Sequence, residues 1–209
     1  MSTNSFVHRV VLLAGLMLIV ALGDYSRNGR QGVKMREYGF ILLAGVAGSL
    51  FGFFNDLITS SISPDYFILG KGLEAGPGLR MGAGLYGLQT GFSAGVIGGA
   101  IGLFAARRKT AHPPLPVLRL LQLLWLPVAA AVVGGVLLPL AFSKFDPARF
   151  AAQLEPMLNA ERIGRFREVW WIHVGLYTGL AAGLTAMIVR GTKERKNGMT
   201  LRMPPPSHS

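Results

Sequence analysis

The chain has 209 residues and a mass of 22.4 kDa; 51% of its residues are apolar, only 15% are charged, and the mean hydropathy is +0.43. A soluble domain carries about a quarter charged residues, and here the charges gather between long uncharged runs, so the apolar residues read as membrane spans rather than as one shared core. The 21 Lys and Arg against 10 Asp and Glu give a net charge of +11, but these basic residues flank apolar segments and no basic face interleaved with aromatic residues accompanies them, which excludes nucleic acid as a partner. The absence of cysteine removes disulfides, thiolate metal sites and cysteine nucleophiles together.

Taken in chain order, the first apolar segment runs from Val10 to Gly23. It is shorter than the roughly twenty residues that cross a hydrocarbon core comfortably. His8 and Arg9 before it and Ala21-Leu22-Gly23 after it resemble a secretory signal. Arg27, Arg30, Lys34 and Arg36 follow at once, and so basic a stretch resists export, which favours a retained helix. Residues 1–37 therefore form an N-terminal helix with a basic loop. Longer spans follow over 38–59, 83–106, 118–142 and 169–189, continuously apolar and without the alternation of a β-barrel strand. The expectation is an all-α integral membrane helical bundle: four firm transmembrane helices within 38–190 and a weaker N-terminal one. Five spans put thirteen Lys and Arg on one side and eight on the other, which predicts a cytoplasmic C-terminus and the inner membrane of a bacterium.

Two connecting segments carry helix signals. After the second span, Ser63-Pro64-Asp65 supplies a cap, a first-turn proline and an acid suited to the helix dipole, so a short interfacial helix is predicted with Tyr66 and Phe67 as surface anchors. The rest, Lys71 to Arg80, reads as a flexible basic loop that is either a connector or a ligand site. Before the fifth span, Asp146-Pro147 and the helical spacing of Phe150, Leu154, Met157 and Leu158 predict an amphipathic helix over 146–168. It lies flat on the membrane with Trp170 and Trp171 at the interface, or it is solvated and packed on other loops. Residues 191–209, basic and proline-rich at the end, are predicted to be disordered.

Glycine spacing is the strongest local pattern. Gly87, Gly91, Gly95 and Gly99 recur every four residues in the third span, Gly175, Gly179 and Gly183 in the fifth, and Ala44, Gly48 and Gly52 in the second. Each series forms a smooth groove along one helix face, and in lipid close backbone approach is what holds helices together. The expected use is to pack spans two, three and five within one subunit; the alternative is that a groove lines a pore or joins identical subunits. Pro127 and Pro139 bend the fourth span.

Asn55 and Asp56 near the end of span two, Gln89 and Thr90 near the start of span three and His173 near the start of span five all fall close to one membrane face. Asp56 and His173 are the natural pair, with Asn55 and Gln89 completing a network that relays a proton or holds a small polar ligand. The alternative is that both sit hydrated and unconnected among head groups.

The stretch Gly52 to Phe67, with Asn55-Asp56, Ile58-Thr59 and Ile62-Ser63-Pro64-Asp65-Tyr66-Phe67, resembles a group of small uncharacterised bacterial multi-span membrane proteins with an "ISPEYF"-like segment, Asp65 standing where Glu is expected. The resemblance implies a bacterial, multi-span, non-enzymatic protein and transfers no residue role.

No phosphate loop, nucleophile elbow, His-Glu-x-x-His pair or paired intramembrane aspartates occurs, and the four histidines lie far apart, so no catalytic residue, metal site or cofactor is assigned. Pro113-Pro114-Leu115-Pro116 reads as a stiff connector. The leading functional expectation is a non-enzymatic structural or accessory membrane component, partnered by the lipid bilayer and by a second copy or another membrane protein. The alternative is a small transporter or channel with a polar vestibule around Asp56, Gln89 and His173.

Overall fold

The computed structural model describes residues 3–29, 32–108, 114–142, 144–146 and 149–200, and every regular element among them is helical. In order these are α1 (Thr3–Asn28), α2 (Lys34–Ile62), α3 (Pro64–Lys71), α4 (Leu79–Arg107), α5 (Val117–Leu123), α6 (Trp125–Phe142), α7 (Phe150–Leu154) and α8 (Ala160–Thr200). Five stretches, Val10–Asn28, Lys34–Ile62, Leu79–Arg107, Val117–Phe142 and Ala160–Asn197, are long and apolar enough to cross a membrane. The chain is an all-α, multi-pass membrane protein. Arg30, Lys109, Pro113, Pro147 and the tail from Leu201 onward lie outside the described residues.

Several elements differ from the sequence reading. The first span is longer than its apolar run, because helix continues through Asp24 to Asn28, where the Asn28 amide donates to Asp24 Oδ1 (2.8 Å) and the Lys34 backbone N–H donates to Oδ2 (3.0 Å). The fourth span is broken at Leu124 between α5 and α6. Pro127 accounts for the break, since its ring displaces the carbonyl four residues earlier, that of Leu123, and it offers no N–H to it. Pro139 lies inside α6, which continues past it.

The amphipathic helix expected over 146–168 is not one helix. Asp146 caps α7 through both carboxylate oxygens, accepting from the N–H groups of Phe150 (2.9 Å) and Ala151 (2.8 Å), but α7 ends at Leu154. Residues 160–168 belong instead to α8, whose N-terminal turn is fixed by Asn159 Oδ1 accepting from the Arg162 N–H (3.0 Å). The disorder expected over 191–209 is corrected for 191–200, because α8 runs on to Thr200 and Arg195 is buried against the Arg108 carbonyl (3.3 Å). At about 1.5 Å per residue α8 is roughly twice the length of a hydrocarbon core, so it projects from the bilayer.

Most inter-helix contact falls within two antiparallel hairpins, α2 with α4 and α6 with α8, while α1 rests chiefly on α2. In the first hairpin the glycine series face one another. A methyl group placed on Gly48 would lie 2.2 Å from the Gly91 carbonyl oxygen, one on Gly52 2.1 Å from that of Gly87, and one on Gly95 2.2 Å from that of Ala44. The second hairpin repeats the device: a methyl on Gly175 would lie 2.1 Å from the Gly134 carbonyl oxygen and one on Gly179 2.1 Å from that of Ala130. Each glycine thus directs a Cα hydrogen at a carbonyl across the contact, the geometry of a weak Cα–H···O interaction. Span five was expected to pack on spans two and three. Its glycine face lies instead on span four, whose Ala130 and Gly134 form the matching groove.

The hairpins are also related in sequence. Residues 87–95 and 175–183 share Gly-Leu-x-Thr-Gly-x-x-Ala-Gly. The threonines behave alike: Thr90 donates to the carbonyls of Tyr86 (3.1 Å) and Gly87 (3.2 Å), and Thr178 to those of Val174 (2.9 Å) and Gly175 (3.2 Å). Each hairpin is further tied near its other end by an ion pair, Arg107 with Glu37 (2.7 Å) and Arg119 with Glu194 (2.6 Å).

Gly91→Ala is expected to destabilise the protein by about 1–3 kcal/mol, because its methyl would meet the Gly48 carbonyl, whereas Gly82→Ala, with open space around it, is expected to be neutral or stabilising. Thermal unfolding in detergent checks both, and equal effects at the two positions would contradict the contact.

Candidate functional site

The site begins with α3. Ser63 Oγ accepts from the Tyr66 N–H (3.3 Å), Pro64 fills the first turn, and Gly72, at φ 69°, ends the helix in a left-handed conformation that glycine adopts without strain. This short helix forms where the sequence reads it, but Tyr66 and Phe67 are not surface anchors. They turn inward, 5% and 0% exposed, into an apolar cap with Leu154, Leu158, Ile163, Phe166 and Val169. Asp65 holds α3 to α8 by accepting two hydrogen bonds from the Arg162 guanidinium (2.9 and 2.5 Å). Trp171, read as an interface marker, is also buried and donates from its indole N–H to the Phe145 carbonyl (3.1 Å).

Beneath this cap, Asp56 of α2 and His173 of α8 are both buried, and Asp56 Oδ1 lies 3.1 Å from His173 Nε2. The partnership joins the two hairpins. His173 Nδ1 lies 2.9 Å from the Val169 carbonyl, which can only accept, so Nδ1 carries a proton. Nε2 faces Oδ1 at hydrogen-bond distance, so a proton on either atom links the two side chains. The Asn55 amide donates to the same Oδ1 (2.9 Å). Tyr66 stacks on the imidazole at 4.8 Å and Phe67 meets it edge-on at 6.1 Å, so water is kept from the upper side. Burial pushes the Tyr66 phenol well above its ordinary value. Being raised in the folded state, this group contributes stability below the ordinary tyrosine value and loses it as pH rises further.

The pair faces a cleft of about 130 Å³ between the hairpins, lined by α2, α4, α6 and α8 and by Lys71. Its polar end is formed by Asn55, Asp56, Lys71, Tyr86, Thr90, His173 and Tyr177. The remaining wall is apolar, with small residues such as Ala47, Ala94, Gly98 and Ala131 beside Phe51, Leu176, Leu180 and Leu184. Lys71 Nζ sits 5.3 Å from the Tyr66 ring centre and 5.6 Å from that of Tyr86. Among the described residues no three His, Asp or Glu side chains converge as a metal site would need.

Of the residues singled out from sequence, Asn55, Asp56, Thr90 and His173 come together at the cleft and Gln89 does not. Gln89 lies one position, about 100° of helix rotation, from Thr90, and so leaves the face set by Tyr86, Thr90 and Ala94. Thr90 lines the wall, but its hydroxyl proton is committed to its own helix. Tyr86 and Tyr177 were missed. The signal was present in helical spacing, since Tyr86 stands four residues before Thr90 and Tyr177 four after His173. Comparison of the chain with protein families, with curated proteins and with solved structures gives no match.

A double-mutant cycle of Asp56→Ala and His173→Ala is expected to show a coupling of about 0.5–3 kcal/mol in unfolding free energy, the range for residues in one buried network. Additive losses would contradict the contact. Tyr66→Phe is expected to lessen the loss of stability at alkaline pH, checked by thermal unfolding as pH is raised; an unchanged alkaline limb would contradict the assignment.

Proposed function

We propose that this is a non-enzymatic membrane protein that takes a small molecule into the cleft between its two hairpins and carries it within or across the bilayer. The observation that supports the reading is the position of the Asp56–His173 pair: buried, in mutual contact, and facing a cleft rather than a packed interior. Ionisable residues inside a membrane are costly and mark ligand or ion pathways. Two internally rigid hairpins that touch each other sparingly also suit a carrier, since related repeats around a central site are a recurrent transporter plan. A catalytic reading has less support, because Asp56 and His173 engage each other and the Thr90 hydroxyl is bonded to its own helix. The reading includes a bacterial inner-membrane location with a cytoplasmic C-terminus, following the excess of Lys and Arg on that side. Self-association through the exposed apolar face of α1, which includes Leu12, Leu16 and Ile19, belongs to the same reading.

A purely structural or accessory role makes the cleft irrelevant, and that separates the two. Protein purified in mild detergent is expected to retain a small molecule visible by native mass spectrometry. Ala131→Trp, which fills the cleft, is expected to reduce that retention by about tenfold or more, and the milder Ala47→Phe to reduce it less. Wild-type protein without any retained molecule, or equal retention in well-folded variants, would favour the structural role.

A further inference from the structure

We propose that the cleft takes a single-chain anionic amphiphile, with its acidic head group on Lys71 and its alkyl chain along the apolar wall between the hairpins. This inference rests on the reading of the cleft as a binding site and names the class of molecule it takes.

The shape argues first. Along α2 the lining extends from Asp56 at the polar end to Ala44, and at 1.5 Å per residue this is about 18 Å of wall. The lining follows that whole length on several helices, so the space between the hairpins is elongated rather than round. Alanine and glycine are the commonest lining residues on α2 and α4, among them Ala44, Ala47, Gly48, Gly91, Ala94 and Gly98. Gly48, Gly91 and Gly95, which bring α2 and α4 together, also contribute to its wall. The space is partly open rather than sealed.

Charge then selects the head group. Among the described residues no carboxylate lies within ion-pair distance of Lys71. The one acid lining the cleft, Asp56, is held by His173 and Asn55. Lys71 is the one Lys or Arg in the lining, and its ammonium is set beside the faces of Tyr66 and Tyr86. The aromatic faces steady the ammonium without neutralising it. A cation next to an apolar slot at membrane depth is complemented by a molecule that brings an anion and a hydrocarbon chain together. A lipophilic cation is disfavoured, because Lys71 already occupies the two tyrosine faces that such a ligand would need.

The test uses the full chain in nanodiscs of neutral phosphatidylcholine, with tetradecanoate and tetradecanol as probes and binding read by native mass spectrometry. Wild-type protein is expected to bind the acid about tenfold or more tightly than the alcohol. Lys71→Gln is expected to abolish that preference while leaving alcohol binding in place, and Lys71→Arg to restore it. Should Lys71→Gln fail to fold, the acid-to-alcohol ratio of the wild type carries the test alone. Equal binding of acid and alcohol, or tighter binding of tetradecyltrimethylammonium than of the acid, overturns the inference and leaves the cleft as a site for another class of molecule. If neither probe binds, this inference is overturned. The cleft reading fails with it only if Ala131→Trp also leaves the naturally retained molecule undisturbed.

Discussion

Backbone-to-backbone contact between glycine-faced helices is the constraint from which the rest of the structure follows. In a bilayer an apolar side chain gains little by leaving lipid for protein, so helices associate through close van der Waals packing and weak polar contacts instead. Here both hairpins meet at positions where a single methyl group would fall on a carbonyl oxygen across the contact, at Gly48, Gly52, Gly87 and Gly91 in one and at Gly134, Gly175 and Gly179 in the other. The register repeats every four residues, so it fixes both the pairing of the helices and their relative slide.

A second consequence is the space between the hairpins. The two pairs touch each other far less than the helices within each pair do. At one end α3 and the start of α8 close over the Asp56–His173 pair under an aromatic cap; at the other, Phe40, Ile41, Leu103 and Ala106 of the first hairpin pack on Leu115 and Leu120. Between these ends lies the cleft. The buried polar pair thus has a structural role, joining two bodies that are otherwise loosely connected, and a chemical one, presenting polar atoms to an apolar slot. Strong contact within hairpins and sparse contact between them is the mechanical arrangement that the carrier reading requires.

Much of this was legible in the sequence and some was not, for definite reasons. Hydropathy gave the spans because their apolar runs are long and uninterrupted, and the cap at Ser63-Pro64 was readable because it is a local device. The meeting of Asp56 and His173 was legible only as a coincidence of depth; that they touch depends on which helices pair. The pairing was misread because the fourth span hides its groove. Ala130 and Gly134 look unremarkable beside the glycine series of span three, and the match lies in the facing register rather than in either helix alone. The inward turn of Tyr66 and Phe67 was hidden for a similar reason: an aromatic pair at an interface has the same spacing whether it faces lipid or protein. The shared pattern over 87–95 and 175–183 was in plain view and would have suggested two equivalent hairpins.

The pairing itself is open to one direct measurement, helped by the absence of cysteine from the chain. Cysteine pairs oxidised in native membranes report which spans face each other. Gly45→Cys with Val96→Cys probes the first hairpin, and Gly135→Cys with Leu176→Cys the second, at positions where the added side chain points at its neighbour. Both pairs are expected to cross-link, while Gly45→Cys with Leu176→Cys is not. Efficient cross-linking of that third pair, with failure of the other two, would contradict the two-hairpin arrangement and the cleft it creates.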